Sequence, residues 1–425
     1  MATITKTRPQ QLAKPPSMFL QKIIGEASTK DVEGEYITFG LQEDLTPNYL
    51  TPKFFFRTGL YLPDRALGYN GNAGFGSGRM VELYGQNRTG KSALATQMAN
   101  RALLDHPEVH VLYVDMERAL TADRLKPYPM FATSRFNIVC PSTLDRAFSI
   151  VLKALKQALA EGVSLFIVFD SVAAMKTNTE MAVADGKVVM MAQAQMFSKE
   201  LPRVRGLLSK TNSLLLMLNQ MRDKNQTGGK PGMPPPDHTP GGHAIKFYAD
   251  YRVKTASAGK YSLSTGTVAV AGVAPSGFVS KISVIKNKMG IPDRSVMVPL
   301  IFFANQGRPS GLSELWSIFD ALKKEKLIKA AGGLYHFGGV GAQKFRRVEW
   351  RNFLEEHQTL DPATLYPTYH GVVGEALAEW ERRLHDDSYG SKPGAMDDDD
   401  EGDSLEEEED GDGEEAEQSE DGEES

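Results

Sequence analysis

Between Gly85 and Ser92 the chain reads Gly-Gln-Asn-Arg-Thr-Gly-Lys-Ser, the G-x-x-x-x-G-K-[ST] spacing suited to gripping a phosphate chain. Gly85 and Gly90 let the backbone turn sharply, so that the N–H groups of Gln86, Asn87, Arg88 and Thr89 point inward, and a following helix adds its positive end. Lys91 would reach the β and γ phosphates of a nucleotide, and the Ser92 hydroxyl would ligate Mg²⁺. Asp170 ends the apolar run SLFIVFD, where a carboxylate can hold that ion through its water shell. Hydrolysis also needs a group that positions or deprotonates water, and Glu117, just past HVLYVDM, is better placed than Asp115. The alternative for Glu117 is a place beside a helix N-cap.

Asn219 and Gln220 close the run SLLLMLNQ, where a γ-phosphate would lie. Directly after them comes a stretch of roughly twenty residues rich in Gly and Pro, long enough to suggest a functional loop. It carries Arg222, Lys224 and Lys230, and an amide at its root could pass the state of the phosphate into it.

These residues need a frame. From Arg79 onward, short apolar runs alternate with longer helical patterns: RMVELYG, KSALATQMANRALLDH, HVLYVDME, RFNIVCP, TLDRAFSIVLKALKQALAEG, SLFIVFDS, a helix over about 188–210 and SLLLMLNQ. Strands apolar at nearly every position imply a largely parallel sheet covered on both faces, an α/β core. After Ile245 the runs DYRVKTASA, GFVSKISVIKNKM and SVMVPLIFF follow closely, as an antiparallel extension of that sheet. From about Ser313 the pattern turns helical again. Residues 1–50 are polar apart from SMFLQKIIGEA, an apolar patch with nothing local to pack against.

The 425 residues are 41% hydrophobic and 24% charged, and no run approaches the ~18 apolar residues of a membrane span. The first twenty residues lack the pattern of a secretory signal, so a cytosolic protein is expected. Cys140, the single cysteine, is expected as a buried strand thiol. The formal charge of −6 averages two unlike regions. Residues 397–425 hold 19 Asp and Glu and no Lys or Arg, which implies disorder; elsewhere 48 Lys and Arg face 35 Asp and Glu, a balance of +13. The tail serves solubility, or competes with nucleic acid for the basic body. Met175, Met181, Met190, Met191 and Met196 suit packing better than base contacts. The charges around Lys323 and in QKFRR suit solvated faces, although together on a basic body they could hold duplex phosphate, and His238 and His243 lack metal-ligand spacing.

From about Arg57 to Glu356 the chain resembles the RecA-type homologous recombinases, phage relatives included. The likeness runs through RTGLYLPDRALG, GRMVELYGQNRTGKSAL, LYVDMERAL, FIVFDSVAAM, LLLMLNQMR, GGHAIKFYADYRV and VIKNKMG in order. It implies a DNA-dependent ATPase that forms a helical filament on single-stranded DNA, pairs it with duplex DNA and exchanges strands, with ATP and Mg²⁺ as cofactors. By resemblance, Lys91 and Ser92 contact phosphate and Mg²⁺, Asp170 is the second acidic motif, Glu117 the catalytic glutamate and Gln220 the γ-phosphate sensor. Lys286 and Lys288 match a pair that reaches the neighbouring subunit's ATP, and Phe247 matches a nucleotide-responsive interface residue.

The second DNA-binding loop would span Met221 to Gly242, with Arg222, Lys224, Lys230, Gly241 and Gly242; the first surrounds Met181 to Met191, with Lys187 as its main charge. Arg124 stands where the family has an aromatic stacked on adenine. The implied organisation is a subunit-packing segment (1–50), a RecA-like P-loop ATPase core (51–312), a small mixed C-terminal domain (313–390) and a disordered acidic tail (391–425). A single-strand-binding protein or loader is a candidate partner, in the cytoplasm of a bacterial cell. A ring-forming translocase or helicase and a non-catalytic recombination mediator are the alternatives.

Overall fold

The computed structural model describes residues 51–385 apart from 69–70, 127, 175, 183–185, 222–238, 263–266, 269–275, 302–310, 339–341 and 361–366. In chain order the strands are β1 (Phe55–Phe56), β2 (Phe75–Gly76), β3 (Arg79–Gly85), β4 (Val109–Asp115), β5 (Phe136–Val139) and β6 (Ser164–Asp170). They continue with β7 (Leu214–Gln220), β8 (Tyr251–Ser262), β9 (Thr267–Val268), β10 (Gly277–Asn287), β11 (Arg294–Ile301) and β12 (Gly311–Leu312), and four short strands follow, β13 (Lys329–Ala331), β14 (Leu334–His336), β15 (Gln358–Leu360) and β16 (Pro367–Tyr369). The helices are α1 (Tyr61–Leu67), α2 (Lys91–Asp105), α3 (Ala122–Leu125), α4 (Leu144–Glu161) and α5 (Asn178–Ala182). After them come α6 (Gly186–Thr211), α7 (Gly242–Tyr248), α8 (Leu315–Lys324), α9 (Trp350–Glu356) and α10 (Gly371–Leu384).

Among the described residues ten strands form one sheet, in the order β12-β11-β10-β8-β3-β7-β6-β4-β5 with β9 on β8. Strands β5, β4, β6, β7, β3 and β8 run parallel, and β10, β11 and β12 continue the sheet antiparallel. The expected extension is therefore present, but β8, its first strand, lies parallel to β3.

The alternation of side chains explains why the central runs are apolar at nearly every position. Phe166, Val168, Leu214, Leu216 and Leu218 join the layer containing α2, α8 and α10, whereas Ile167, Phe169, Leu215 and Met217 face α4, α6 and α7. Burying each such side chain contributes about 1.5–3 kcal/mol, enough for each face to hold its helices. Local signals set the helix ends. Thr143 accepts the Arg146 N–H at the start of α4, and Gly162 closes that helix in the left-handed region at φ 69°.

Three expectations from composition are corrected. Cys140 is exposed, because it lies just past β5, which pairs only with β4 at the edge of the sheet. Met181 is 62% exposed on the five-residue α5, although Met196 packs against the α4–α6 layer; Met175 and the side chains of Met190 and Met191 lie outside the described residues. Arg347, in QKFRR, is not simply solvated: its guanidinium lies over the rings of Trp316 and Phe319 and pairs with Asp320.

The segment after Ser313 is fastened to α1 by a cap borrowed across the chain. Leu60, the N-cap of α1, offers no side-chain acceptor, and Glu314 supplies one: its Oε1 accepts the Leu62 N–H at 2.6 Å, and the Tyr61 N–H also donates to this carboxylate. The Tyr61 ring meets Tyr369 edge-on, and Arg65 pairs with Glu381 at 3.4 Å. Burial raises the Glu314 carboxyl from 4.5 to about 8, against the pull of the two backbone donors, and Asp64 adds to the rise. A group whose folded value is raised contributes stability that is complete below its unfolded value and is lost as pH rises through the folded one. Wild-type melting temperature should therefore fall between about pH 4.5 and 8, and Glu314→Gln should flatten that fall. Parallel pH–melting curves for the two proteins would remove Glu314 as the source.

Candidate nucleotide site and its connection to the loop after Gln220

Strand β3 is paired on both sides and delivers Gly85 to the start of the phosphate loop. A Cβ on Gly85 would stand 2.1 Å from the Thr255 carbonyl oxygen of β8, so no larger residue fits. Gly90 takes φ 93° and caps α2, a conformation in which a side chain is strained. Thr89 is buried between strands: its Oγ1 lies 2.7 Å from Thr255 Oγ1, and its carbonyl accepts Ser280 Oγ at 2.8 Å. Gln86, Asn87 and Arg88 are exposed, with their backbone in front of the fifteen-residue α2. Lys91 Nζ donates to the Gly85 and Gln86 carbonyls at 3.1 and 2.6 Å. Burial pushes its ammonium down, while Asp170 and Glu117 support the charge.

Asp170 ends β6 opposite Asp115 of β4. Its Oδ2 accepts the Tyr113 hydroxyl at 2.8 Å, and Ser92 bonds to the same carboxylate. Burial raises Asp170; these two donors lower it. A hydroxyl and a carboxylate together form a hard-oxygen pair that fits Mg²⁺. Among the described residues no three His, Cys, Asp or Glu side chains cluster for a metal, so the remaining ligands of such an ion would be phosphate oxygens and water.

Asp115 is occupied structurally, accepting the Ala119 and Leu120 N–H groups at 3.2 and 3.1 Å. Glu117 lies beyond the strand, held there by the Met116 N–H on the Asp170 carbonyl at 2.7 Å. It has no helix N-cap beside it, since α3 starts only at Ala122. Glu117 Oε1 accepts Gln220 Nε2 at 3.0 Å and also the Ser171 hydroxyl. Lys91, Ser92, Asp170, Glu117 and Gln220 thus come together at one edge of the sheet. Arg124 is on the exposed α3, its Nη1 3.5 Å from the Ala119 carbonyl.

Asn219 fastens both ends of the segment that follows Gln220. Its Nδ2 donates to Glu82 Oε1 at 2.9 Å and to the Pro240 carbonyl at 3.0 Å, and its Oδ1 accepts the Gln220 N–H. Glu82 is fully buried and paired with Arg252 at 2.6 Å, whose guanidinium lies 4.6 Å from the Tyr84 ring centroid. Arg222, Lys224, Lys230 and the side chain of Lys187 lie outside the described residues. Gly241 and Gly242 have φ 88° and 71°, and a Cβ on either would strike Ile245 or Ala194, so packing alone requires both.

Lys286 and Lys288 are remote from this edge. Ser280 of β10 touches the phosphate loop, and Lys286 stands six residues further along the same strand, about 20 Å away. Lys286 Nζ donates to the carbonyls of Lys246 and Phe247 at 2.8 and 3.3 Å, and Lys288 pairs with Asp250 at 3.4 Å. Burial and then Lys288 lower the Lys286 ammonium. Phe247, 71% exposed, adjoins them. Sequence spacing missed Ser171, Tyr113 and the Glu82–Arg252 pair, whose contacts cross 54 to 170 residues of chain.

Residues 54–307, more than half of the chain, match the family model described as the RecA N-terminal domain. Protein RecA of Mycoplasma mobile is 28% identical over 346 residues, covering 80% of this chain and 92% of the relative. Protein RecA of Syntrophus aciditrophicus is 28% identical over 325 residues, 76% and 85% of the two chains. The mitochondrial "DNA repair protein recA homolog 3" of Arabidopsis thaliana is 28% identical over 308 residues, 72% and 66%.

The Gly85 contact carries a test. Gly85→Ala should cost about 1–3 kcal/mol of stability and weaken ATP binding, because the added methyl meets backbone. Thr255→Ala should not rescue it, since the carbonyl remains. A Gly85→Ala protein with wild-type melting temperature and nucleotide affinity would show that β8 is not the wall.

Proposed function

The chain belongs to the RecA family, and on that premise we propose that it is an ATP-driven DNA recombinase that forms filaments on single-stranded DNA and pairs them with homologous duplex for strand exchange. The contact of Gln220 Nε2 with Glu117 Oε1 carries this reading, because it joins the candidate base to the root of the 221–242 segment. The name of the Arabidopsis relative, a DNA repair protein, accords with it.

In this mechanism the N–H groups of the phosphate loop and Lys91 bind the phosphates, and Ser92 and Asp170 would hold Mg²⁺, Asp170 through water. The ion, when bound, offsets charge on the β and γ phosphate oxygens. Glu117 takes the proton of the attacking water. Gln220 exchanges Glu117 for the γ-phosphate, and the exchange alters the loop that it roots. Lys187, Arg222, Lys224 and Lys230 contact DNA phosphates, with Gly241 and Gly242 closing the loop. Arg124 lies on the nucleotide base. Lys286 and Lys288 reach the ATP of the neighbouring subunit across an interface that includes Phe247. The 313–390 region and the acidic tail modulate duplex capture, the tail by competing with nucleic acid for the basic body. The protein works in the cytoplasm, beside a single-strand-binding protein or loader. No helix among the described residues is long and apolar enough to cross a membrane.

ATP hydrolysis without DNA, with single strands and with duplex, on the full chain and on a chain ending at Ala395, tests the whole reading. Single strands should raise the rate at least about tenfold, and truncation should extend the response to duplex. Glu117→Gln should lower turnover by about 10²–10⁴ while nucleotide still binds. A rate indifferent to DNA in both chains would refute the recombinase reading, and closed rings in electron micrographs would favour a translocase.

A further inference from the structure

Ser171 follows Asp170 directly and is 2% exposed. No motif spacing singles it out, yet its hydroxyl donates to Glu117 across 54 residues of chain. The same Oε1 accepts Gln220 Nε2, and the Glu117 carboxylate makes no other hydrogen bond among the described residues. Both donors therefore sit on one oxygen, and Oε2 is left without one.

The two donors are held differently. Gln220 is half-buried at the end of β7 and leads into the 221–242 segment. Ser171 is buried beside Asp170, whose carboxylate is fixed by Tyr113 and whose carbonyl accepts the Met116 N–H. An exposed glutamate beyond a strand end otherwise samples several rotamers, so losing both donors would release it. We infer that Ser171 is the positioning residue of Glu117, holding Oε1 while Gln220 changes partner, so that Oε2 is the atom that accepts the water proton. As Oε2 takes that proton, the water oxygen bonds to the γ-phosphorus. The bond from this phosphorus to the bridging oxygen breaks, and ADP leaves with the electron pair.

This inference rests on the ATPase reading above, and one experiment separates their failures. Turnover on single-stranded DNA is measured for wild type, Ser171→Ala, Ser171→Thr, Glu117→Gln and the Ser171→Ala/Glu117→Gln pair, together with binding of a non-hydrolysable ATP analogue. Ser171→Ala should lower kcat about 10- to 100-fold, with analogue affinity within about twofold of wild type. Ser171→Thr, which keeps the hydroxyl, should recover most of kcat, and Ser171→Ala should add little to Glu117→Gln. Should the alanine variant not fold, Ser171→Cys, near-isosteric and a weak donor, should show the same loss of kcat in smaller degree, again with analogue affinity kept.

Wild-type turnover with an unchanged kcat in Ser171→Ala overturns the role of Ser171 alone. So does a loss of analogue binding parallel to the loss of kcat. A wild type that hydrolyses no ATP overturns the ATPase reading and takes this inference with it.

Discussion

A strand covered on both faces can carry a polar side chain cheaply only where it ends, since an unpaired polar group in the interior costs roughly 2–7 kcal/mol. Every residue of β3 and β6 is buried, as is all of β7 except its last residue, Gln220. The parallel register sets Asp115 beside Asp170 and Gly85 beside Gln220, so these strands end together. The polar groups at those ends consequently share one edge, where α2 begins. Both faces of the sheet serve the site by excluding polar groups from everywhere else.

Glu82 is the exception that shows the rule's cost. It sits mid-strand and fully buried, and it is tolerated because Arg252 and Asn219 satisfy it at 2.6 and 2.9 Å. Removing one partner of such a pair typically costs about 3–5 kcal/mol, whereas a well-packed apolar pair would often serve stability as well. What the apolar pair could not do is orient Asn219. Through Asn219 the buried carboxylate fastens the Pro240 carbonyl and the Gln220 N–H together, giving the 221–239 segment two anchors on one side chain.

The nearly uniform apolar runs made the parallel core legible, because period-two alternation between two helix layers leaves almost no polar position inside, Glu82 being the exception. The phosphate loop was legible for a similar reason, each of its residue types being required by backbone geometry. Cys140 misled because an edge strand has the same composition as a covered one; only its single partner distinguishes it. The Glu314 cap and Ser171 were not legible at all. Each works through a contact that joins distant parts of the chain, 252 and 54 residues apart, and a Ser after an Asp or a Glu before a helix has many ordinary uses.

The placement of Lys286 and Lys288 follows from the antiparallel direction of β10. Since β10 meets the phosphate loop near Ser280, its far end must lie at the opposite side of the sheet, about 20 Å away. The lysines cannot serve their own phosphate loop, where Lys91 is the buried cation and stands among Asp170 and Glu117. On the proposed function this is an advantage. A triphosphate with one divalent ion keeps a net negative charge that one lysine does not balance, and a cation delivered from another copy can reach it only when two subunits meet. Hydrolysis would then depend on assembly through charge alone, with β10 as a rigid strut linking one site to the next.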